Sequence, residues 1–400
     1  MAREFRTSPD FKTAVLANGA AGTSGQVLTS AGAGAAPSWT TVSGGGGGLT
    51  KFTEAESTTA PNATVYVDSF TAAATSTNAD VALVAKGSGS TLAQVPDGTT
   101  AGGNKRGTYA TDLQKSRSSA TEVASGSYST ILGGASNTAS SNYSFVGGGQ
   151  SNTAQTNTHA TVCGGSTNAA SGQYAFVGGG LSNVSSQQYS VVGGGQSNSA
   201  SALWGFIGGG FNSVTSGDYS AIVGGYQNSA AGDYSFVSGG RRGTTRSIAG
   251  YHVFPACTIP IADAYGVTQS ALLLLGRQTT NATATVLASN SSAASTTNQV
   301  ILPNNSAYSF SGEVIAGVTG GGNTARWTIN GAIKRGAGAG TTAMVGTPTV
   351  TMTHNDAGAS GWIVNVTADT TNGGIAVTVT GAASTTIRWV AKINTTEMTY

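Results

Sequence analysis

From Tyr128 to Arg242 the chain repeats one pattern every fifteen residues, with a single step of sixteen: a ring, a small residue, a strand-forming pair, then glycines. The ring slot holds Tyr128, Tyr143, His159, Tyr174, Tyr189, Trp204, Tyr219 and Tyr234. In Tyr143-Ser-Phe-Val-Gly-Gly-Gly-Gln-Ser-Asn152 the first and third slots fall on one face of an extended chain and the fourth on the other. The third slot takes Phe145, Phe176, Phe206 or Phe236, and the fourth Ile131, Val146, Val177, Val192 or Ile207. This spacing predicts a short strand with protein against both faces. Two or three glycines follow, where the missing Cβ permits positive φ or a backbone approach that a side chain would block. Nine residues after the ring an Asn recurs, at Asn137, Asn152, Asn168, Asn183, Asn198 and Asn228, and is displaced to Asn212 in one repeat. Stacked amides of this kind form a hydrogen-bonded ladder or support turns.

A fixed short period implies one small unit stacked on copies of itself. Fifteen extended residues reach at most about 50 Å, enough for one coil of a β-solenoid or one turn around an axis shared between chains. Each unit offers about three large apolar residues, which is thin for a private core. Several parallel chains pooling their apolar slots are therefore expected, with Tyr143, Phe145, Val146, Tyr174, Phe176, Tyr189, Trp204, Phe206, Tyr219, Tyr234 and Phe236 as the shared packing.

Outside the repeats the pattern changes three times. Residues 1–48 join a short head to a low-complexity run ending in Gly44 to Gly48, the composition of an extended or flexible attachment arm. Residues 49–127 carry strand-like Thr64-Val-Tyr-Val-Asp and Val81-Ala-Leu-Val-Ala ahead of a glycine-rich bend at Ala101 to Gly107, a small β module at the entry to the repeat shaft of residues 128–245. In residues 246–400, Trp327-Ile329-Ile333, Trp362-Val364-Val366, Ile375-Val377-Val379 and Ile387-Trp389-Ala391-Ile393 alternate with polar positions, the mark of half-buried strands. Further strands are expected at Leu272 to Leu275, Thr283 to Leu287, Gln299 to Leu302, Tyr308 to Ala316 and Thr347 to Thr353. Turn-rich segments separate them, and the count favours a β-sandwich or jelly roll large enough to own a core.

Gly makes up 60 of the 400 residues, Asp, Glu, Lys and Arg together only 8%, and the formal net charge is +2. The chain is thus neither a highly charged disordered polymer nor collagen, which needs glycine at every third position. Lys105-Arg106, Arg241-Arg242 and Lys334-Arg335 form no sustained basic stripe, so nucleic acid is not an expected partner. The first ten residues lack an apolar core of signal-peptide length, and no run approaches the roughly 18 apolar residues of a membrane span, so neither secretion signal nor membrane insertion is expected. Cys163 and Cys257 are read as free thiols, Cys163 as a small packed residue in the slot of Leu132 and Val223.

Candidate chemistry is sparse. Glycoside hydrolysis needs two carboxyl groups about 5 to 9.5 Å apart, but Asp218 and Asp233 hold the same slot of successive repeats, as a turn or surface ladder would place them. Asp263, Glu313, Asp356, Asp369 and Glu397 are scattered without a local motif. His159 occupies a ring slot, and His252 and His354 lack a metal-spaced partner. The Gly-Gly-Gly runs lack the Lys-Ser or Lys-Thr of a phosphate loop. No catalytic residue, metal or cofactor is expected.

Gly22-Thr-Ser-Gly-Gln-Val-Leu-Thr-Ser with Ala35-Ala-Pro-Ser-Trp39, the block from Gly87 through Gly102-Gly-Asn-Lys-Arg-Gly to Asp112-Leu-Gln, and the Tyr-Ser-Phe-Val-Gly-Gly-Gly repeats resemble bacteriophage tail fibres. Thr297-Asn-Gln-Val-Ile-Leu-Pro-Asn-Asn-Ser-Ala-Tyr, Asp369-Thr-Thr-Asn-Gly-Gly and Ile387-Arg-Trp resemble their terminal domains, and related glycine-rich repeats also occur in bacterial trimeric adhesin heads. The resemblance implies an all-β, elongated homotrimeric fibre with a fifteen-residue-repeat β-solenoid or β-roll shaft and a C-terminal jelly-roll-like β-sandwich. It further implies a virion tail component joined through its N-terminus to a tail or baseplate protein and binding a host-surface glycan or protein. In that reading the terminal-domain loops are the contact surface, His354, Asn355 and Asp356 in particular, although turn chemistry also accounts for the Asn-Asp pair. A structural spacer without a receptor, a bacterial surface adhesin and a polysaccharide depolymerase are the alternatives.

Overall fold

The computed structural model describes residues 85–400 and, before them, residues 16–17, 20–21, 23, 26–29, 36–41, 52–57 and 67–72. The chain divides into two compact units, Met1–Leu83 and Val84–Tyr400. In the first, Leu16–Ala17 pairs antiparallel with Ala20–Ala21, Gln26–Thr29 with Ser38–Thr41, and Phe52–Ser57 with Val67–Ala72. Part of the expected extended arm is thus a hairpin. Of the strand expected at Thr64 to Asp68, Val67 and Asp68 lie in the strand Val67–Ala72 and the rest lies outside the described residues, as does most of the one expected at Val81 to Ala85.

The second unit opens with a β-solenoid of about ten turns in an all-β chain. Each repeat contributes two strands of two residues. Third and fourth slots, such as Phe145–Val146 and Phe176–Val177, stack in register into one parallel sheet. Eleventh and twelfth slots, such as Thr138–Ala139 and Thr153–Ala154, stack into a second sheet of seven strands. Fourth-slot Ile131, Val146, Val162, Val177, Val192, Ile207, Ile222 and Val237 are fully buried, facing Ala139, Ala154, Ala170, Ala200 and Ala230 from the other sheet. The expectation that a repeat cannot enclose its own core is corrected here. The interior is narrow enough to be filled by one branched aliphatic, small residues such as Ser144 and Ala154, and one Asn per coil, with Ser185 and Thr215 replacing Ala and Ser213 replacing Asn in single coils, so Val146 packs inside its own chain rather than between chains.

The ring slot also differs from expectation. Tyr128, Tyr143, Tyr174, Tyr189, Trp204, Tyr219 and Tyr234 have φ of 56–58°, and His159 has 65°, so the ring residue forms a left-handed turn ahead of the strand. For a non-glycine residue that conformation costs about 1–2 kcal/mol. Stacking offsets it, being worth about 0.5–1.5 kcal/mol per aromatic pair: Tyr128 lies over Tyr143 at 5.0 Å, Tyr143 over His159 at 4.9 Å, and Tyr219 over Tyr234 at 4.9 Å. These rings are roughly half exposed along one edge of the solenoid.

Glycine and Asn set the spacing of coils. The last glycine of each run has positive φ, and a Cβ on Gly195 would stand 2.1 Å from the carbonyl oxygen of Gly210 in the next coil. Asn183 shows the ladder in full. Its Nδ2 donates to Gly179 O and to Gly195 O of the next coil, both at 2.8 Å, while its Oδ1 accepts from the backbone N–H of Asn198 at 3.0 Å. Where Asn is displaced to Asn212, Ser213 fills the slot and its Oγ accepts from Asn228 N at 3.1 Å. The thiol of Cys163 is exposed and free, a correction to its expected packing, because the fifth slot points outward.

Both ends of the solenoid depart from the period. At the base, Thr91–Leu92 and Thr111–Asp112 continue the parallel ladder below Thr130–Ile131, so the solenoid begins well before residue 128. Tyr109 stacks on Tyr128 at 5.0 Å, which places Asp112 in the aliphatic slot. Its buried carboxylate meets Arg106 Nε at 2.7 Å and Arg117 Nη2 at 3.4 Å. Gln114 starts the Asn ladder, accepting from Asn137 N at 2.9 Å.

At the far end the third-and-fourth-slot sheet runs into a terminal module with strands β1 (His252–Pro255), β2 (Thr268–Thr279), β3 (Thr285–Val286), β4 (Val300–Ile301), β5 (Ser306–Val318), β6 (Thr324–Arg335), β7 (Ala343–Met344), β8 (Thr349–Asn355), β9 (Ile363–Asp369), β10 (Gly374–Thr380) and β11 (Ile387–Thr399). β1 pairs parallel with Phe236–Val237 of the last coil, and the order then continues antiparallel through β2, β11, β5, β6 and β8, with β7 also on β6. β10 is the centre of a second sheet, pairing with β9, β3 and β4. Alternation works as the pattern predicts: Leu273, Leu275, Phe310, Val314, Trp327, Trp389 and Ile393 of the long strands join Val364, Val366, Val377 and Val379 in one buried cluster. Trp389 lies 5.7 Å from both Trp327 and Trp362.

A buried polar hub ties the last coil to this module. Glu397 on β11 pairs with Arg246, accepts from Tyr251 Oη, and takes Gln269 Nε2 and Thr395 Oγ1 at 2.8 Å each. Burial, followed by the field of Glu397, pushes the Tyr251 and Tyr308 phenols well above their ordinary value of 10.0. Above that ordinary value the folded chain retains protons that the unfolded chain has lost, so stability falls as pH rises.

Two outcomes follow. Gly195→Ala should destabilise by roughly 3 kcal/mol, whereas Gly194→Ala, whose Cβ would find only one atom at 4.0 Å, should stay within about 0.5 kcal/mol; denaturant unfolding separates them. A thermal melt series from neutral to strongly alkaline pH should show Tm dropping once pH passes the ordinary tyrosine range. Tyr308→Phe, by removing one raised phenol, should flatten that drop.

Candidate functional site

The long sheet of the terminal module buries one face and leaves the other open. Paired positions across this open face form rows. Leu272, Asn394, Ser311, Asn330 and Thr349 stand opposite one another on five successive strands, a row of amides and hydroxyls next to one leucine. With strands about 4.8 Å apart the row spans roughly 19 Å. Beside it, Leu274, Lys392, Glu313, Thr328 and Thr351 form a second row on the same registers.

Three shallow depressions follow these rows. One of about 310 Å³ is lined by Phe254, Leu272, Ser309, Ser311, Asn394 and Thr396. A second of about 430 Å³ shares Ser311 and Asn394 with it and adds Glu313, Thr328, Asn330, Thr349 and Lys392. The third, about 650 Å³, lies at the sheet's far edge and is lined by Ile315, Thr324, Ala325, Arg326, Thr353, His354, Asn355 and Asp356. An ion pair between Arg326 Nη2 and Glu313 Oε1 at 3.2 Å links the second and third.

The third depression exists because strand pairing slips. Trp327 stands opposite Met352 but Arg326 opposite His354, so Thr353 is an extra residue in β8. The bulge turns His354 to the open face beside Arg326, where strict alternation would have aimed it at the core. Thr353 Oγ1 accepts from Arg326 Nη1 at 3.2 Å, which holds the guanidinium over the depression.

The structure therefore brings His354, Asn355 and Asp356 to one depression but divides their roles. Asp356 Oδ2 accepts from Thr324 N at 2.8 Å and its N–H donates to Thr324 O at 3.0 Å, and Asn355 Nδ2 donates to Asp356 O at 2.9 Å. Asn355 and Asp356 close the edge of the sheet, while the exposed His354 imidazole faces outward with Arg326. Sequence reasoning did not join Arg326, Glu313, Ile315, Asn330, Lys392 and Asn394 into one surface because β11 meets the β5–β6 hairpin only through the sheet. The period-two pattern that marked Trp389, Ala391 and Ile393 as inward also marks Lys392 and Asn394 as outward, and that signal was readable.

The other acidic residues are engaged elsewhere. Asp218 Oδ1 accepts from Leu203 N at 3.1 Å and Asp233 Oδ1 from Asp218 N at 3.0 Å, a ladder along the solenoid as their shared slot implied. Asp263 holds Arg241 at 2.8 Å and Arg242 at 2.9 Å. Burial alone would raise the Asp369 carboxyl, but hydrogen bonds from Asn372 and Thr371 outweigh it and hold the carboxyl below the usual range. Among the described residues no cluster of three or more His, Cys, Asp or Glu is placed to hold a metal ion.

No family model matches this chain, and no curated protein matches it significantly. Among solved structures, the crystal structure of the Acinetobacter phage vB_ApiP_P1 tailspike protein aligns at 10% identity and a TM-score of 0.19 over 73% of this chain. The alignment spans about three fifths of that protein, 59% of its length.

The division of roles within the depression is measurable. Arg326→Ala, which breaks an exposed pair, should cost less than about 1 kcal/mol. Asp356→Ala, which removes the acceptor for Thr324 N, should cost about 1–2 kcal/mol, both read from urea unfolding midpoints.

Proposed function

We propose that this chain is a bacteriophage tail fibre that binds the host surface through the open face of its terminal module, with a surface glycan as the receptor. The observation that carries the reading is the row of Asn394, Ser311, Asn330 and Thr349 across the open face, with the Arg326–His354 depression further along the same face. Amides and hydroxyls spaced along an open face, with an imidazole on the same face, are the groups that hydrogen-bond and stack on a chain of sugar units. The tail-fibre-like segments at Gly22 to Trp39 and Gly87 to Gln114 support the virion assignment, and the first of them is the part assigned to docking on a tail or baseplate protein.

In this reading the fibre is a homotrimer and the terminal module a β-sandwich. Three copies of one shallow groove raise effective concentration at a repeating surface, so modest affinity per site gives firm attachment. The reading includes no catalytic step, and Asp263, Glu313, Asp356, Asp369 and Glu397 are each engaged in an ion pair or hydrogen bond within the chain.

Particles carrying Asn330→Ala together with Arg326→Ala should adsorb to host cells at least tenfold more slowly with unchanged particle yield. Undiminished adsorption would make the chain a spacer. Purified fibre incubated with host polysaccharide should leave its chain length unaltered, and shortening would make it a depolymerase.

A further inference from the structure

The parallel sheet of third and fourth slots is covered on its inner face by the solenoid core, but its outer face carries an apolar strip that no other described residue of the second unit covers. Parallel sheets are found almost only with both faces covered. The strip consists of third and fifth slots, which point outward together. Phe145, Phe176, Phe206 and Phe236 recur in the third slot, and the fifth holds Gly147, Gly178 and Gly208 or, at intervals, Leu132 and Val223.

The glycines flatten this face. A Cβ on Gly147 would lie 3.3 Å from the Phe145 ring, one on Gly178 3.4 Å from Phe176, and one on Gly208 3.6 Å from Phe206. Each phenyl ring thus lies over the glycine two residues on, where a larger residue would lift it. Leu132, Phe206 and Val223 are 50%, 43% and 53% exposed. Nine rungs from Thr130 to His252 at strand spacing give a strip roughly 40 Å long, apolar at Phe145, Phe176, Val191, Phe206, Ala221 and Phe236 and interrupted by Thr130, Thr161 and His252.

The lack of charge is compatible with self-association. From Val123 to Gly217 the chain contains no Asp, Glu, Lys or Arg, so no charge on these coils opposes association or selects a charged partner. The outward positions of the second sheet are mixed with hydroxyls, Thr138, Thr153, Ser199 and Ser229 among them. The ring ladder spends its ring faces on its own neighbours.

We infer that this strip is the surface through which copies of the chain meet, in parallel and in register around a common axis, with the ring ladder turned outward. The inference rests on the trimeric reading above and assigns its interface. Strands of one register repeating at one spacing complement copies of themselves, and a face-to-neighbour contact repeated by rotation closes a ring. With the usual sheet twist of about 20–25° per strand, β6 and β8, with Arg326 and His354, turn away from the axis in this arrangement and stay open.

Cys163 lies in the fifth slot of this strip and serves as a probe. Full-length Cys257→Ser protein, oxidised under mild conditions, should form a Cys163 cross-link joining two chains of each assembly. A Cys163→Ser, Cys257→Ser, Tyr189→Cys chain, with its thiol on the ladder, should form none. Phe176→Asp with Phe206→Asp should lower the native mass threefold. Cross-linking through Tyr189→Cys but not Cys163, or three chains persisting in the double Phe variant, would overturn the inference while leaving the trimeric reading in place. A single-chain mass for the unmodified protein would overturn both.

Discussion

The separation between successive coils constrains everything else in this protein. Gly195 and its counterparts sit where a Cβ would collide with the next coil's carbonyl, and Asn183 and most of its counterparts bridge the same gap with two hydrogen bonds while a third braces their own coil. Because the amide is buried, a missing bond would cost about 1–3 kcal/mol, so the ladder tolerates only a substitute that can take its place, as Ser213 does. Once the gap is set, a branched aliphatic and small residues fill the interior, and the rings stack at the same repeat.

A periodic interior needs an aperiodic end, and both ends use buried charge. Asp112 takes an aliphatic position at the base and is neutralised by Arg106 and Arg117, while Glu397 reaches from the last strand to Arg246 and Tyr251 of the last coil. Breaking a buried pair by removing one partner is strongly destabilising, by about 3–5 kcal/mol. Such clusters therefore fix where stacking starts and where it passes into the terminal module. Polar residues here specify position in a stack whose apolar contacts are alike from coil to coil.

The same sheet changes character along its length. On the solenoid its outer face is flat and uncharged, suited to repetition, while on the terminal module it gains Arg326, Glu313, Lys392, His354 and a row of amides. The proposed division of labour, assembly on the first and recognition on the second, follows from that change of composition on one continuous face.

Much of this was legible in the chain. Periodicity specified the coil, the two functions of the glycines and the Asn ladder, and alternation placed the long strands of the terminal module and their inward tryptophans, because these depend on neighbours a few residues apart. Three things depended on tertiary structure. Whether Val146 lies in a private or a shared core is a matter of coil width, set by small residues on the opposite sheet. That the ring slot is a left-handed turn follows from stacking between coils, which one strand pattern cannot reveal. The meeting of Arg326 with His354 required a one-residue slip between β6 and β8, since pairing register is a property of two strands together and of neither alone.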